Sequence, residues 1–101
     1  GLGGRNQEFA LHFINFAYQY LPSLKFTLLS AGTDGRDGPT DASGAIVNHT
    51  SFNEIKKKGV NLNEELLNNN SYYVLKLINS LVIINGTNTN VADIQLLTIL
   101  G

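Results

Sequence analysis

A glycine-rich loop of this chain carries three aspartates that could bind a ligand or take part in catalysis. The loop, residues 31–44, carries Asp34, Asp37 and Asp41 among four glycines. Glycine lets the backbone turn sharply and approach a ligand closely, while carboxylates can bind Mg²⁺ or accept a hydroxyl proton during phosphoryl transfer. The alternative is an ordinary turn, since Asp-Gly pairs favour tight turns and Thr40 or Asp41 could cap a following helix. The loop alone leaves both interpretations open.

Arg5 is a candidate for binding an anion because it lies in the first turn of a predicted helix. Apolar residues at helical spacing predict this helix from about residue 4 to residue 19, with its end before Pro22. Free backbone N–H groups and the positive end of the helix dipole meet at that first turn, where Arg5 and Asn6 lie. An arginine is unfavourable for the dipole there, which is a hint that it faces a negative ligand. Pairing of Arg5 with a neighbouring carboxylate is the alternative.

Strands and helices around one core are predicted to hold the loop and Arg5 in place. Apolar runs predict strands at residues 25–30, 81–84 and 94–100. The last two are apolar enough for buried, central strands and could pair antiparallel with each other. Helical signals are predicted at residues 41–49, 51–58, 62–68 and from 71 onward. The first strand places Asp34 just past its carboxyl end, which is where ligands bind in open α/β sheets.

A second polar loop separates the last two predicted strands. Residues 85–93 read Asn-Gly-Thr-Asn-Thr-Asn-Val-Ala-Asp and include the amides of Asn88 and Asn90. The loop could be an Asx-rich turn, or it could form a second polar wall that faces Asp34.

Composition limits the classes of protein that the chain can represent. Its 101 residues suffice for one domain, and its net charge of −1 and pI near 6.1 argue against nucleic acid as a partner. The apolar runs are far shorter than the ~20 residues that a membrane span requires, so no membrane segment is predicted. The chain has no cysteine and no visible signal peptide, which favours a cytoplasmic protein. It also has no methionine, even at position 1, so we expect a piece of something longer.

Standard catalytic and metal-binding motifs are absent from the sequence. There is no G-x-S-x-G nucleophile elbow, no P-loop and no calcium-binding loop. What remains is one arginine, two aspartates and three amides: Arg5, Asp34, Asp37, Asn6, Asn88 and Asn90. That set suits a phosphorylated or carboxylated ligand, because arginine clamps oxyanions and carboxylates serve phosphoryl transfer.

Three blocks of this sequence resemble the MOFRL family, the carboxyl-terminal domain of class II glycerate 2-kinases, some of which carry the older label hydroxypyruvate reductase. The blocks are residues 3–8, residues 31–41 and residues 87–93, and the likeness covers essentially the whole chain. The resemblance implies an α/β fold, a single three-layer α/β/α sandwich domain with a small mixed sheet. Residues 1–101 would then be the C-terminal part of a longer two-domain enzyme.

The resemblance also implies a reaction and the residues that serve it. ATP would phosphorylate glycerate at its 2-hydroxyl to give 2-phosphoglycerate, with Mg²⁺ and ATP bound by the full enzyme and neither bound tightly by this chain. Arg5, Asp34 and Asn90 would be catalytic: the arginine at the carboxylate or transferring phosphate, the aspartate as base or metal-side carboxylate, the asparagine at ligand oxygens. Asn6, Asp37 and Asn88 would bind substrate. The identity of any metal ligand stays open.

Departures from the family pattern shape the remaining expectations. Members usually have Gly-Pro-Thr-Gly-Thr-Asn where residues 85–90 read Asn-Gly-Thr-Asn-Thr-Asn, although Asn90 and Asp93 are kept. The missing amino-terminal kinase domain would be the main partner, so the chain alone should be inactive; a homo-oligomer is also possible. Two alternatives are a non-catalytic ligand-binding or regulatory module and part of a hydroxypyruvate reductase. Retention of Arg5, Asp34 and Asn90 argues against the first, and the absence of a glycine-rich dinucleotide motif argues against the second.

Overall fold

The computed structural model describes residues 1–84 and 92–100. In chain order the elements are α1 (Arg5–Tyr20), β1 (Phe26–Gly32), β2 (Gly44–Asn48), α2 (Ser51–Lys57), α3 (Leu62–Leu67), α4 (Ser71–Leu77), β3 (Leu81–Val82) and β4 (Asp93–Ile99). None of the described helices is long and apolar enough to cross a membrane.

The strands form one sheet in the order β3, β2, β1, β4. β1 lies between its two long neighbours, where Leu28 is opposite Val47 of β2 and Leu97 of β4. The predicted α/β class is confirmed. Every pair of described strands runs antiparallel, however, which corrects the mixed sheet that the resemblance implied. The connection from β1 to β2, residues 33–43, contains no helix, and a parallel return would require a longer crossover.

The helices cover one face of this sheet. Buried side chains of α1 recur at helical spacing and pack on the central strands, joined by one or two residues from each shorter helix. This core consists of Ala10, Leu11, Ile14, Ala17, Phe26, Leu28, Ala45, Val47, Ile55, Leu62, Val74 and Leu75. The edge of the half-buried Phe13 ring also meets Phe26, with 4.9 Å between ring centroids.

The opposite face of the sheet carries apolar side chains that stay exposed. Leu29 of β1 is half-buried, and its partners in register, Ile46 of β2 and Leu96 of β4, are 45% and 59% exposed. The described residues therefore provide the sheet and one helical layer of the sandwich.

Residues 41–49, which were predicted to be helical, instead form β2 and the turn before it. Ala45 and Val47 are buried whereas Ile46 between them is exposed, which is the alternation of a strand with one covered face. The prediction was wrong because Ala42, Ala45 and Ile46 also fit helical spacing over so short a window. Pairing with β1 decides between the two periods.

The last two predicted strands form, but not as central strands. β3 is reduced to Leu81–Val82, and the 94–100 segment becomes β4, which lies at the sheet edge. β4 pairs with β1 and not with β3, so its predicted pairing was wrong. Helices α1, α2 and α3 begin and end within about two residues of their predicted positions, and α4 begins at the predicted residue 71.

Candidate active site

Asp37 caps the first turn of α1 from the glycine-rich loop. Gly4 occupies the N-cap position and provides no side-chain cap. The Asp37 Oδ1 atom accepts a hydrogen bond from the Asn6 backbone N–H at 3.0 Å, and Oδ2 accepts one from the Gln7 backbone N–H at 2.8 Å. Asp37 is only 2% exposed, so its carboxylate is buried against the positive end of the helix dipole.

Glycine allows the loop to approach the helix this closely. A Cβ atom at Gly4 would collide with backbone and carboxyl atoms of Asp37. Gly38 has a φ angle of +63°, a conformation that side chains with a Cβ rarely adopt. The loop is held at a second point by Gln7, whose Nε2 donates to Thr40 Oγ1 at 2.9 Å.

Asn6 is the centre of a buried polar network. Its Nδ2 donates to Asp37 Oδ1 at 3.2 Å and to Asp93 Oδ1 at 3.1 Å. Its Oδ1 accepts from Ser30 Oγ at 2.7 Å and from Gln95 Nε2 at 3.2 Å. An asparagine side chain can donate two hydrogen bonds and accept two, so these four bonds use its full capacity. Asn6 therefore joins α1, the loop, β1 and β4 at one point.

Arg5 lies at the rim of this network, and its guanidinium Nε forms an ion pair with Asp93, the first residue of β4. The Arg5 side chain is 73% exposed. Its hydrogen bond to the carboxylate, together with the one from Asn6, lowers the pKa of Asp93 below its ordinary value. Arg5 therefore pairs with a carboxylate, that of Asp93, as one of the two interpretations of the sequence expected. Its side chain is nevertheless exposed to solvent.

Replacing Arg5 should return the pKa of Asp93 towards its ordinary value. In Arg5→Gln, we expect the pKa of Asp93 to rise towards its ordinary value, because the hydrogen bond from Arg5, the largest cause of its lowering, is lost. Since the folded-state pKa is lowered, the pair stabilises the fold above the ordinary aspartate pKa, and that contribution disappears as the pH falls through the lowered value. An NMR titration of the Asp93 carboxyl in both proteins measures the shift. Identical titration curves would contradict the pairing.

A pocket of about 520 Å³ opens beside the ion pair. Its lining carries two arginines, three aspartates and one glycine: Arg5, Arg36, Asp34, Asp37, Asp93 and Gly38. Asp34 is half-buried in this wall, and its Oδ1 accepts a hydrogen bond from the Arg36 backbone N–H at 3.1 Å. This bond closes a local turn and fixes the position of the carboxylate at the pocket.

The structure brings together the predicted residues that it describes. Arg5, Asp34 and Asp37 line the pocket, and Asn6 lies behind it. Asn88 and Asn90, which were also predicted for the site, lie outside the described residues. Asn6 and Asp37 were predicted to bind substrate, and here their side chains hold the walls of the pocket in place.

Three residues of the network were not among the predicted site residues. Asp93, Ser30 and Gln95 complete the contacts around Arg5 and Asn6. A signal for two of them exists in the sequence, since Ser30 and Gln95 are polar residues within apolar strands, and they face each other in register. A buried polar side chain requires a partner, so a polar position inside a predicted strand is worth testing as part of a network.

The pocket combines groups with opposite chemical abilities. Arg5 can bind a carboxylate or phosphate oxygen, and Asp34 can accept a proton from a hydroxyl group or contribute to binding a cation. A small ligand with an anionic group next to a hydroxyl would use both residues at once.

Comparison with known proteins identifies the relatives of this chain. The profile of the MOFRL family matches residues 1–93. A glycerate 2-kinase of Pyrococcus horikoshii is 39% identical over 94 residues, a match that covers 93% of this chain and 20% of that enzyme. A putative hydroxypyruvate reductase of Agrobacterium vitis is 37% identical over 99 residues, which cover 98% of this chain and 25% of that protein.

A solved structure shares the fold. The crystal structure of a glycerate kinase from Thermotoga maritima superimposes with a TM-score of 0.88 at 42% sequence identity, covering 99% of this chain and 23% of that one. The chain thus spans a fifth to a quarter of the length of these relatives.

Proposed function

The chain belongs to the MOFRL family, and on that basis we propose that it is the C-terminal domain of a glycerate 2-kinase. In this proposal it supplies one wall of the cleft in which ATP phosphorylates glycerate to 2-phosphoglycerate. The single observation that carries the proposal is that Arg5 and Asp34 line the same pocket. Glycerate has a carboxylate next to the hydroxyl group that reacts, and these two residues match that pair of groups.

Arg5 and Asp34 have distinct roles in the proposed reaction. Arg5 binds the glycerate carboxylate or the phosphoryl group in transfer. The 2-hydroxyl oxygen forms a bond to the terminal phosphorus of ATP while the bond to the ADP oxygen breaks, and the hydroxyl proton must leave. Asp34 either accepts that proton or acts as a metal-side carboxylate.

The donor set of this wall is compatible with Mg²⁺ but does not form a complete metal site. Mg²⁺ is usually bound by one or two carboxylates together with substrate phosphates and water, and it neutralises phosphate charge when bound. Asp34 is the residue of this chain that would hold it. Across residues 1–84 and 92–100, no group of three or more His, Cys, Asp or Glu side chains is placed to hold a metal ion. Further ligands would come from ATP and from the opposite wall.

The opposite wall belongs, in this proposal, to an amino-terminal domain that the relatives' greater length provides. Phosphoryl transfer depends on positioning between both walls, so the chain alone is expected to lack kinase activity. A cytoplasmic location and a possible homo-oligomer stay predictions.

A comparison of two assays tests the proposed reaction against reduction of hydroxypyruvate, which the printed name of the Agrobacterium relative suggests. With Mg²⁺-ATP, the complete polypeptide should release ADP only when glycerate is present. When the complete polypeptide is given hydroxypyruvate and a reduced nicotinamide cofactor, the absorbance of the cofactor should not change. ADP release that does not depend on glycerate, or an absorbance change that depends on hydroxypyruvate, would contradict the kinase assignment.

A further inference from the structure

β4 combines a central-strand sequence with an edge position. Four of its seven residues are large and apolar, namely Ile94, Leu96, Leu97 and Ile99. Two of them lie on each face of the strand, and all four are between 43% and 59% exposed. Strands with apolar side chains on both faces are typical of the buried interior of a sheet. Natural edge strands usually carry lysine, proline or a bulge that discourages pairing, and β4 has none of these.

Within residues 1–84 and 92–100, no strand pairs with the outer edge of β4, and this free edge presents a regular set of backbone groups. Leu100 donates its N–H to the Lys25 carbonyl at 2.9 Å, and the Ala92 carbonyl accepts from the Thr33 N–H at 2.8 Å, so even-numbered residues bond towards β1. Hydrogen bonds alternate along an antiparallel pair. The N–H and C=O groups of the odd-numbered residues therefore point away from β1, namely those of Asp93, Gln95, Leu97 and Ile99.

We propose that a strand from the amino-terminal part of the complete polypeptide pairs with this free edge and turns β4 into an interior strand. The length of the relatives indicates where this strand would come from, because three-quarters or more of each relative lies outside the region that this chain matches. The first outward-facing residue is Asp93, whose carboxylate holds Arg5. The added strand would therefore pass beside the pocket, which connects the two walls of the proposed cleft. The inference rests on the proposed function only in placing this chain within a longer polypeptide.

Hydrogen–deuterium exchange of residues 93–99 tests the pairing without any substitution. In the 101-residue chain, the outward amides of Gln95, Leu97 and Ile99 should exchange fast, whereas those of Ile94 and Leu96 should exchange slowly. In the complete polypeptide the three outward amides should slow by more than about tenfold, because pairing protects them. Equally fast exchange in both proteins would overturn the proposal. Protection that instead grows with concentration of the 101-residue chain, together with dimers in light scattering, would assign the edge to a second copy and also overturn it.

A proline substitution provides an independent test. Leu97→Pro removes an outward N–H but no hydrogen bond to β1, and Leu97→Ala is the matched control that keeps the N–H. Proline is tolerated at edges and not in interior strands. The two variants should therefore melt at similar temperatures in the 101-residue chain, and the proline variant should melt clearly lower in the complete polypeptide. Equal melting in the complete polypeptide would overturn the pairing. Both tests omit substrate, so loss of the kinase assignment and loss of the pairing are separate results.

Discussion

Replacing Asp34 by asparagine is expected to reduce glycerate-dependent ADP formation by the complete polypeptide at least about a hundredfold in kcat/KM. The amide has nearly the same shape as the carboxylate but can neither accept a proton nor carry a negative charge. Asp34 lies at the pocket wall, where its backbone turn is fixed by the Arg36 N–H. The measurement is steady-state ADP release at varied glycerate concentration with Mg²⁺-ATP in excess.

Asp41→Asn is the matched control for that experiment. Asp41 is an exposed aspartate of the same loop, and its carboxylate accepts a hydrogen bond from the Tyr72 hydroxyl at 2.7 Å, away from the pocket. Its variant should keep activity within about twofold, as surface substitutions usually do. A fully active Asp34→Asn enzyme would show that this carboxylate has no part in the chemistry.

Replacing Asp37 by alanine is expected to destabilise the 101-residue chain by about 3 kcal/mol or more. The substitution leaves the Asn6 and Gln7 backbone N–H groups buried without the acceptor that now caps α1, and it removes a bond to the Asn6 side chain. For a domain of this size, that corresponds to a fall in melting temperature of roughly 12–24 °C. Chemical denaturation followed by circular dichroism measures the free energy of unfolding.

Asp34→Ala is the control for stability, because it removes a carboxylate from the same loop but leaves the helix cap intact. It should change the free energy of unfolding by about 1 kcal/mol or less, because the hydrogen bond it loses is the exposed one from the Arg36 N–H. The two aspartates, three residues apart, are thus expected to separate: Asp34 affects turnover and Asp37 affects folding. Equal destabilisation by both substitutions would show that Asp37 is not the specific cap.

The parts of the site that depend on local pattern could be predicted from the sequence. The helical spacing after residue 4 places Arg5 in the first turn of α1, and the apolar run before the glycine-rich loop places Asp34 past the end of β1. Both signals arise from neighbours within a few positions, where periodicity is informative. The pairing of these residues in one pocket follows from the fold and was implied by the family resemblance.

The parts that depend on distant partners could not be predicted from local pattern. Asp37 caps a helix that begins about thirty residues earlier, and nothing near Asp37 in sequence indicates that partner. The same holds for Asp93, whose contacts to Arg5 and Asn6 span almost the whole chain. In β2 the local signal was misleading, because helical and strand spacing coincide over so few residues and only pairing with β1 selects the strand.

The half-site claim is tested by measuring glycerate-dependent ADP formation for the 101-residue chain, for a separately produced amino-terminal domain, and for the two combined. We expect that neither piece alone is active, that the combination is active, and that Asp34→Asn abolishes this activity. Each wall of the cleft would then be necessary and neither sufficient. Activity of the chain alone would contradict the half-site claim. No activity in a combination whose association is demonstrated would also contradict it and would identify the domain as a non-catalytic module.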